Sequence, residues 1–196
     1  MEAQGSTLLP SDPGRPRYVA WAIFQHNASG KRLFYANAHL EANADSAGST
    51  HYYDLRIAET KAAVATIKAK NPSGYPVIFG GDLNSNKWAI PSNGPYDVLV
   101  AAGYVDPLGN TYQSKTPAAS ATVEHRIRTE YNGYNGFKLY PPKSTTINGT
   151  YVDYLFMSPG IRVPEWETVL DLDDSGAQIG VIPSDHNMIR ATVVIP

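Results

Sequence analysis

An acid and an amide, Asp82 and Asn84, follow a short apolar run and stand one residue apart in the stretch FGGDLN. The run itself, residues 75–78, is typical of a buried strand, and the two glycines after it allow a sharp turn of the backbone. Side chains at positions i and i+2 of an extended segment point the same way, so the two groups are predicted to emerge together. Such a pair suits polarising a water molecule or gripping a phosphate. The same residue types are also common in turns that end strands, and both readings stay open at this point.

Three more sets of polar residues stand at the ends of strand-like runs. They are Asn37 with His39, Asp153 alone, and Asp185 with His186. An isolated histidine such as His39 is more often structural or solvent-facing than functional. Asp153 lies among apolar residues, where a charge must be paired or serve a function. Each set is a weak signal by itself, but the four together, in this order, are specific.

The elements predicted to carry the earlier sets are two strands and two helices. Residues 18–25 and 31–40 are β-prone on either side of a turn-rich segment, which predicts a hairpin. Apolar residues recur near helical spacing over residues 52–70. Arg56 stands near the start of that helix, as either a surface arginine or a phosphate-facing one. A second, short helix is predicted over residues 96–102.

The later part of the chain predicts strands over residues 151–157, 161–172 and 188–195, the middle one broken by Pro164. Residues 1–16 are polar and contain proline and glycine, which predicts a disordered leader.

A long irregular region is predicted from about residue 104 to residue 148. It interleaves cationic with aromatic residues: Arg126, Arg128, Lys138 and Lys143 with Tyr112, Tyr131, Tyr134, Phe137 and Tyr140. Pro117 is among the prolines and glycines that interrupt it. The aromatic content argues against disorder. The region could hold a nucleic acid or another phosphate ester, or it could be a packed surface loop, and both interpretations stay open.

The composition bounds the class of protein. A chain of 196 residues suits one domain with a sizeable core. A net charge of −2 and a pI near 6.2 exclude a general polyanion binder, so a phosphate-bearing partner must be held by a local patch or a metal. The chain has no cysteine, which excludes disulfides, thiolate zinc sites and a cysteine nucleophile. We predict no membrane span and no signal peptide in this chain, which leaves the compartment undecided, including a secreted parent protein.

The four polar sets resemble the motifs of the endonuclease/exonuclease/phosphatase superfamily. The matching stretches are NAHL (37–40), GGDLN (80–84), VDYLF (152–156) and SDH (184–186). The superfamily includes pancreatic-type deoxyribonucleases, abasic-site endonucleases, inositol-phosphate phosphatases and neutral sphingomyelinases. The resemblance implies an α/β (α+β) fold, a β-sandwich flanked by helices in four α/β/β/α layers, which is partial here.

The resemblance also implies metal-dependent cleavage of a phosphodiester or phosphomonoester by an activated water. By position, Asp82 would orient or deprotonate the water, and Asn84 would bind a phosphate oxygen. His186 would polarise the phosphate or assist proton transfer, with Asp153 bonded to its far nitrogen. His39 would donate to the phosphate.

Three further roles follow from the same resemblance. Asn37 would support His39, and Arg56 would contact the substrate. Asp185 would bind Mg²⁺, or Mn²⁺ or Ca²⁺ in its place, because hard cations prefer oxygen ligands. The expected substrate is a phosphate ester, with nucleic acid as one class. The alternative is a catalytically weak binding or assembly module that keeps the second half of the fold.

The chain departs from the superfamily pattern in its first half. No counterpart stands in the sequence for an early Asn, a metal-binding Glu and an acid that partners the first histidine, so residues 17–196 are interpreted as a domain lacking its N-terminal half. Glu41 is a candidate replacement partner for His39, and Glu59 stands where the family often has Gln. A sheet without its partner layer would expose an apolar face, which predicts a homo-oligomer or a complementing N-terminal chain.

Overall fold

The computed structural model of the chain describes residues 1–110 and 122–196. Within these ranges the chain forms two helices, α1 (His51–Lys70) and α2 (Gly94–Ala101). The strands are β1 (Ala3–Leu8), β2 (Tyr18–Gln25), β3 (Arg32–His39), β4 (Val77–Asp82), β5 (Val123–Ile127), β6 (Asp153–Met157), β7 (Arg162–Val169) and β8 (Met188–Val194). The predicted hairpin, both helices and the later strands are therefore present, with bounds shifted by one to three residues in most of them.

The strands form two mixed sheets, which confirms the predicted α+β class. The larger sheet has the order β1-β2-β3-β4-β6, and the smaller one has the order β5-β7-β8. In the larger sheet β3 and β4 are parallel and the other pairs are antiparallel. In the smaller sheet β5 and β7 are parallel and β8 is antiparallel to β7.

One hydrophobic core joins both sheets and both helices. It contains Phe34 of β3, Ile67 of α1, Leu99 of α2 and Trp166 of β7, all almost fully buried. Strand β3 alternates as its sequence predicts, with Phe34, Ala36 and Ala38 buried and the intervening side chains more exposed. That alternation directs Asn37 and His39 away from the buried face.

The prediction of a disordered leader over residues 1–16 is wrong for residues 3–8. This segment forms β1, an edge strand antiparallel to β2. Its sequence, AQGSTL, is short of the β-branched and aromatic residues that mark a strand. It pairs because the edge of β2 offers unsatisfied backbone groups. Gly5 lies opposite Trp21, and a Cβ on Gly5 would come within 2.8 Å of the Trp21 ring.

Two predictions in the second half also need correction. The region predicted as irregular contains β5, whose partner β7 lies about 40 residues further along the chain. Its charged sequence, VEHRI, gives no local strand signal. Pro164 does not break β7, because a register shift between Arg162 and Glu165 accommodates the residue that lacks an N–H. Tyr112 and Pro117, predicted to belong to the irregular region, lie outside the described residues.

Across residues 1–110 and 122–196, no helix combines the length and the apolar character that crossing a bilayer requires.

Candidate functional site

Three strands of the larger sheet bring the first polar groups into one row. Strand β3 pairs His39 with Asp82 of β4, and Asp82 in turn pairs with Asp153 of β6. Directly opposed residues on neighbouring strands have Cβ atoms about 4.5–5.5 Å apart. The imidazole Nε2 of His39 lies 3.5 Å from Asp82 Oδ2. The pairing of the strands thus joins groups that are more than 40 residues apart in the sequence.

The turn after β4 depends on Gly81 and Asn84. Gly81 has a φ of 148°, and a Cβ there would collide with the carbonyl oxygen of Ala38 in β3. Asn84 has a φ of 45°, a conformation that asparagine tolerates better than most residues. Its backbone N–H donates to Asp82 Oδ1 over 2.7 Å, and its side-chain Nδ2 donates to the Leu40 carbonyl over 3.0 Å. The turn therefore fixes the Asp82 carboxylate and commits part of the Asn84 amide to the protein.

His186 enters the row from the segment that precedes β8. Its Nδ1 is 2.7 Å from Asp153 Oδ2, the pairing that the sequence predicted for the far nitrogen of the histidine. The ring of Tyr134 packs edge-on against the imidazole, with centroids 5.5 Å apart. With Nδ1 held by the carboxylate, Nε2 is the nitrogen left for a ligand.

The electrostatics of this pair favour a shared proton. Burial raises the pKa of Asp153, and the nearby charge of Asp82 adds to the effect, although the hydrogen bond from His186 opposes it. Burial by itself would lower the pKa of His186, but the hydrogen bond and charge of Asp153 outweigh it, so that pKa is raised. A proton is consequently held near His186 at a higher pH than an isolated histidine would hold it.

The same group of side chains could hold a metal ion. Ligand atoms of Asp82, Asp153 and His186 all lie within 4.8 Å of one another, and no other such trio occurs among the described residues. Two carboxylates this close repel each other, and a bound cation relieves that repulsion. Asp185, the metal ligand predicted from sequence, is not a member of the trio. Its backbone carbonyl accepts N–H bonds from Asn135 and Gly136, and its charge acts on His186.

The two predicted substrate-binding residues besides Asn84 have different surroundings. Asn37 is exposed, one step from His39 on the same face, and lines a cavity of about 200 Å³ with Gly80 and Asp153. Arg56 instead donates from Nη1 to the backbone carbonyls of Glu41 and Asn43, over 3.2 and 2.9 Å. It ties α1 to the loop after β3, so its contacts in the structure are with the protein rather than with the row of polar groups.

Glu41 is not the partner of His39, so that part of the sequence interpretation is wrong. The Glu41 carboxylate is fully buried, 3.7 Å from Arg15 and 3.9 Å from Arg17. His39 has Asp82 as its neighbouring carboxylate instead. Alternation would put positions 39 and 41 on one face, but β3 ends at His39, and the segment that follows it carries Glu41 into the protein interior.

Two buried asparagines near the site were missed by the sequence interpretation. Asn135 donates from Nδ2 to Asn187 Oδ1 over 2.8 Å and to the Ser184 carbonyl over 3.2 Å. The Asn187 backbone N–H bonds the Gly133 carbonyl over 2.6 Å. Together they fasten the loop before residue 140 to the turn that carries His186. The adjacency of Asn187 to His186 was the only signal available, because Asn135 lies about 50 residues away.

Comparisons with known proteins identify the family and the fold. The model of the Endonuclease/Exonuclease/phosphatase family matches residues 5–186. No curated protein matches the chain in sequence. Among solved structures, a family protein from Bacteroides thetaiotaomicron aligns with a TM-score of 0.71 at 18% identity, covering 100% of this chain and 66% of that one.

Two further structures are similar at comparable identity. A mannosyl-6-phosphatase from Bacteroides thetaiotaomicron aligns with a TM-score of 0.72 at 17% identity, covering 99% of this chain and 66% of its own. The catalytic domain of human nocturnin, solved with a bound sulfate, aligns with a TM-score of 0.55 at 17% identity, covering 97% and 59%. At these identities the likeness concerns the fold. The chain spans just under two thirds of the length of the first structures it matches.

Proposed function

The chain belongs to the endonuclease/exonuclease/phosphatase family, and from this premise we propose that it hydrolyses a phosphate ester with a divalent cation. The observation that carries the proposal is the 2.7 Å contact between His186 Nδ1 and Asp153 Oδ2, set beside Asp82. The contact orients the imidazole of His186, and the carboxylate of Asp82 beside it takes no part in that contact. Similarity to a mannosyl-6-phosphatase and to nocturnin supports hydrolysis of a phosphate ester as the class of reaction.

Asp82 is the residue that would orient the attacking water. Its Oδ1 accepts the Asn84 N–H, which leaves Oδ2, 3.5 Å from His39 Nε2, as the oxygen available to accept from a water. A carboxylate held in this way needs no reorganisation when the water attacks.

His186 and His39 would serve the phosphate. Asp153 holds Nδ1 and raises the pKa of His186, so that in the protonated imidazolium Nε2–H faces the phosphate as a donor and stabilises the charge that builds on its oxygens. His39 is the more exposed of the two and can donate from the other end of the row. The second amide hydrogen of Asn84 and the exposed amide of Asn37 would add further donors.

Asp82 and Asp153 would hold the cation, whereas Asp185, the ligand that the family resemblance predicts, lies outside their trio with His186. Mg²⁺ is the ion we propose, and Mn²⁺ or Ca²⁺ could replace it at oxygen ligands. When bound, the ion neutralises charge on the phosphate oxygens and so lowers the barrier to attack.

The test measures hydrolysis of p-nitrophenyl phosphate, bis-p-nitrophenyl phosphate and plasmid DNA, each with Mg²⁺, with Mn²⁺ and with EDTA. We expect turnover that EDTA abolishes, and a fall of roughly 10²- to 10⁴-fold in kcat for Asp82→Ala and for His186→Ala. Matched controls are Asp171→Ala and His125→Ala, which remove an exposed acid and an exposed histidine away from the site. Equal rates for all four variants would support the alternative, a binding or assembly module.

A further inference from the structure

A groove of about 540 Å³ opens beside His186 and is continuous with the site. It runs between the segment after Asn84 and the loop of residues 130–143. Its lining residues are Asn84, Asn86, Asn132, Tyr134, Lys138, Pro142, Thr150, Val152 and His186. The roles proposed above use only Asn84 and His186 of this set, so most of the groove has no assigned task.

The polar groups of the groove are mainly donors. Asn86 Oδ1 accepts the Trp88 N–H over 2.9 Å, and Asn132 Oδ1 accepts the Thr150 N–H over 2.8 Å. Each amide oxygen thus already accepts one hydrogen bond, while neither Nδ2 group has a hydrogen-bond partner among the described residues. Thr150 Oγ1 already accepts from the Trp88 indole over 3.1 Å. The two unpartnered Nδ2 groups therefore suit a ligand that brings acceptors.

The charge of the groove is positive. Lys138 is exposed, and its ammonium group forms no ion pair with any carboxylate that the structure describes. No aspartate or glutamate occurs among the lining residues. Hydroxyl groups both donate and accept hydrogen bonds, so an uncharged polyhydroxyl ligand would need acceptors in the groove as well as donors. An anion rich in oxygen atoms matches amide donors and an ammonium group better.

The loop that carries Lys138 is fixed before any ligand arrives. Asn132 N–H donates to the Pro142 carbonyl over 2.9 Å, Gly133 N–H to Thr150 over 2.8 Å, and Lys138 N–H to Asn135 over 3.2 Å. A preformed groove loses less entropy on binding than a mobile loop does.

We propose that this groove is a subsite for a second phosphate, so that the preferred substrate carries a phosphate group next to the one that is hydrolysed. Lys138 and the free amide groups of Asn86 and Asn132 bind the second phosphate. Tyr134 and Pro142 contact the part of the molecule that links the two phosphates. The inference rests on the proposed function, because it takes the row of His39, Asp82, Asp153 and His186 as the place of hydrolysis.

Kinetics with matched substrates test the subsite. The ratio of kcat/KM is measured for a nucleoside 3′,5′-bisphosphate against the 5′-monophosphate, and for glucose 1,6-bisphosphate against glucose 6-phosphate. We expect the bisphosphate to be preferred by about tenfold or more in at least one pair, since a charge-assisted phosphate contact is worth about that factor. The pair that shows the preference identifies the class of substrate, a nucleotide or a sugar phosphate.

The decisive variant is Lys138→Met, with Lys68→Met on the exposed side of α1 as the control. We expect Lys138→Met to bring the ratio close to one while kcat/KM for the monophosphate stays within about twofold, because the donor serves only the second phosphate. A ratio unchanged in Lys138→Met, or no bisphosphate preference in either pair, overturns the subsite.

Equilibrium binding separates this result from failure of the proposed function. Isothermal titration of the same bisphosphates into the His186→Ala variant, with and without Lys138→Met, needs no turnover. If no substrate is hydrolysed but Lys138→Met weakens bisphosphate binding about tenfold, the subsite stands and hydrolysis is excluded. If the substrates are hydrolysed and binding does not depend on Lys138, hydrolysis stands and the subsite is excluded. Absence of both binding and turnover contradicts both.

Discussion

The contact between Asp153 and His186 sets the protonation of the site at the scale of single residues. Asp153 is partly buried, which raises its pKa, and the neighbouring charge of Asp82 adds to the effect. His186 is held above its ordinary pKa by that same carboxylate. The pair holds one proton over a wider pH range than either residue would alone. The protonation state of each group therefore depends on the other.

The variant Asp153→Asn tests this dependence. Removing the carboxylate removes the main force that raises the pKa of His186, so we expect that pKa to fall and the alkaline limb of the pH–rate profile, where the imidazolium loses its proton, to move to lower pH. We expect kcat to fall by roughly 10²- to 10⁴-fold, because an amide does not stabilise the imidazolium that donates from Nε2. An NMR titration of His186 measures the pKa, with Asp171→Asn as the control. A pKa that stays where it is would falsify the coupling.

Two connections between segments fix the site at the scale of elements. The first is the register of three neighbouring strands, which puts His39, Asp82 and Asp153 in line. The second is the pair Asn135 and Asn187, which fastens the loop before residue 140 to the turn of His186. Neither Gly81, on which the first connection depends, nor Asn135 of the second is a reacting group, so a substitution at either should alter the site indirectly.

Gly81→Ala tests the first connection. The substituted residue would have to keep a φ of 148° while its Cβ meets the Ala38 carbonyl, so β3 and β4 would be forced apart. We expect the free energy of unfolding in urea to fall by about 1–3 kcal/mol from backbone strain alone, with more from the collision. Gly48→Ala is the matched control, since Gly48 has a φ of 80° and open space around its Cβ position. Equal losses in the two variants would contradict the role assigned to the β3–β4 contact.

Asn135→Ala tests the second connection. It leaves Asn187 Oδ1 and the Ser184 carbonyl without their donor, so we expect the unfolding free energy to fall by about 1–3 kcal/mol. Because His186 loses its support, we also expect kcat to fall while KM changes little.

Asn71→Ala is the control for Asn135→Ala. Asn71 also makes two hydrogen bonds, to the backbone of Tyr75, but it lies after α1 and outside the site. It should lower stability without lowering kcat, as measured by urea unfolding and steady-state kinetics. A kcat unchanged in Asn135→Ala would count against the positioning role.

At the scale of the whole molecule, a group of buried charged side chains connects separate segments of the first half of the chain. Glu59 of α1 and Glu41 are both fully buried, and Glu59 Oε2 accepts the Glu41 N–H over 2.9 Å. Arg17 and Arg56 lie nearby with favourable charge. Glu59 Oε1 and Glu41 Oε2 have no hydrogen-bond partner among the described residues. Burial, with the charge of Glu41 adding to it, raises the pKa of Glu59 from 4.5 to about 7.

Stability should therefore depend on pH through Glu59. The folded protein holds this proton more tightly than the unfolded chain does, so the unfolding free energy falls as the pH rises from about 4.5 through about 7 and then levels off. The variant Glu59→Gln is neutral throughout and should lose that dependence. At pH 8 we expect it to be more stable than the parent by up to about 3 kcal/mol. Urea unfolding at several pH values measures the difference, and a Glu59→Gln curve parallel to that of the parent would contradict it.

The predicted pairing with a second chain belongs to the same scale and stays a prediction. Light scattering after size exclusion tests it, since a stable monomer without partner would exclude it.

The amino-acid sequence by itself determined the local features of this protein. The hairpin, both helices and the strands that carry Asp82 and Asp153 could be predicted, because periodicity and turn residues act between near neighbours. The four polar sets and the family resemblance, and with them the Asp153–His186 pairing, were also readable. The segments β1 and β5 were not, since their residues are polar and they form only when a distant strand offers its edge.

Only the tertiary structure decided which groups meet. Placing β4 between β3 and β6 aligned His39, Asp82 and Asp153. The contacts of α1 with the segment after β3 placed Glu41 and Arg56, and Asp185 was left outside the group that could hold a cation. The tertiary structure also brought Asn135 to Asn187 and formed the groove that contains Lys138. These contacts join residues tens of positions apart, and their energies depend on strand pairing and burial, which no local pattern in the sequence encodes.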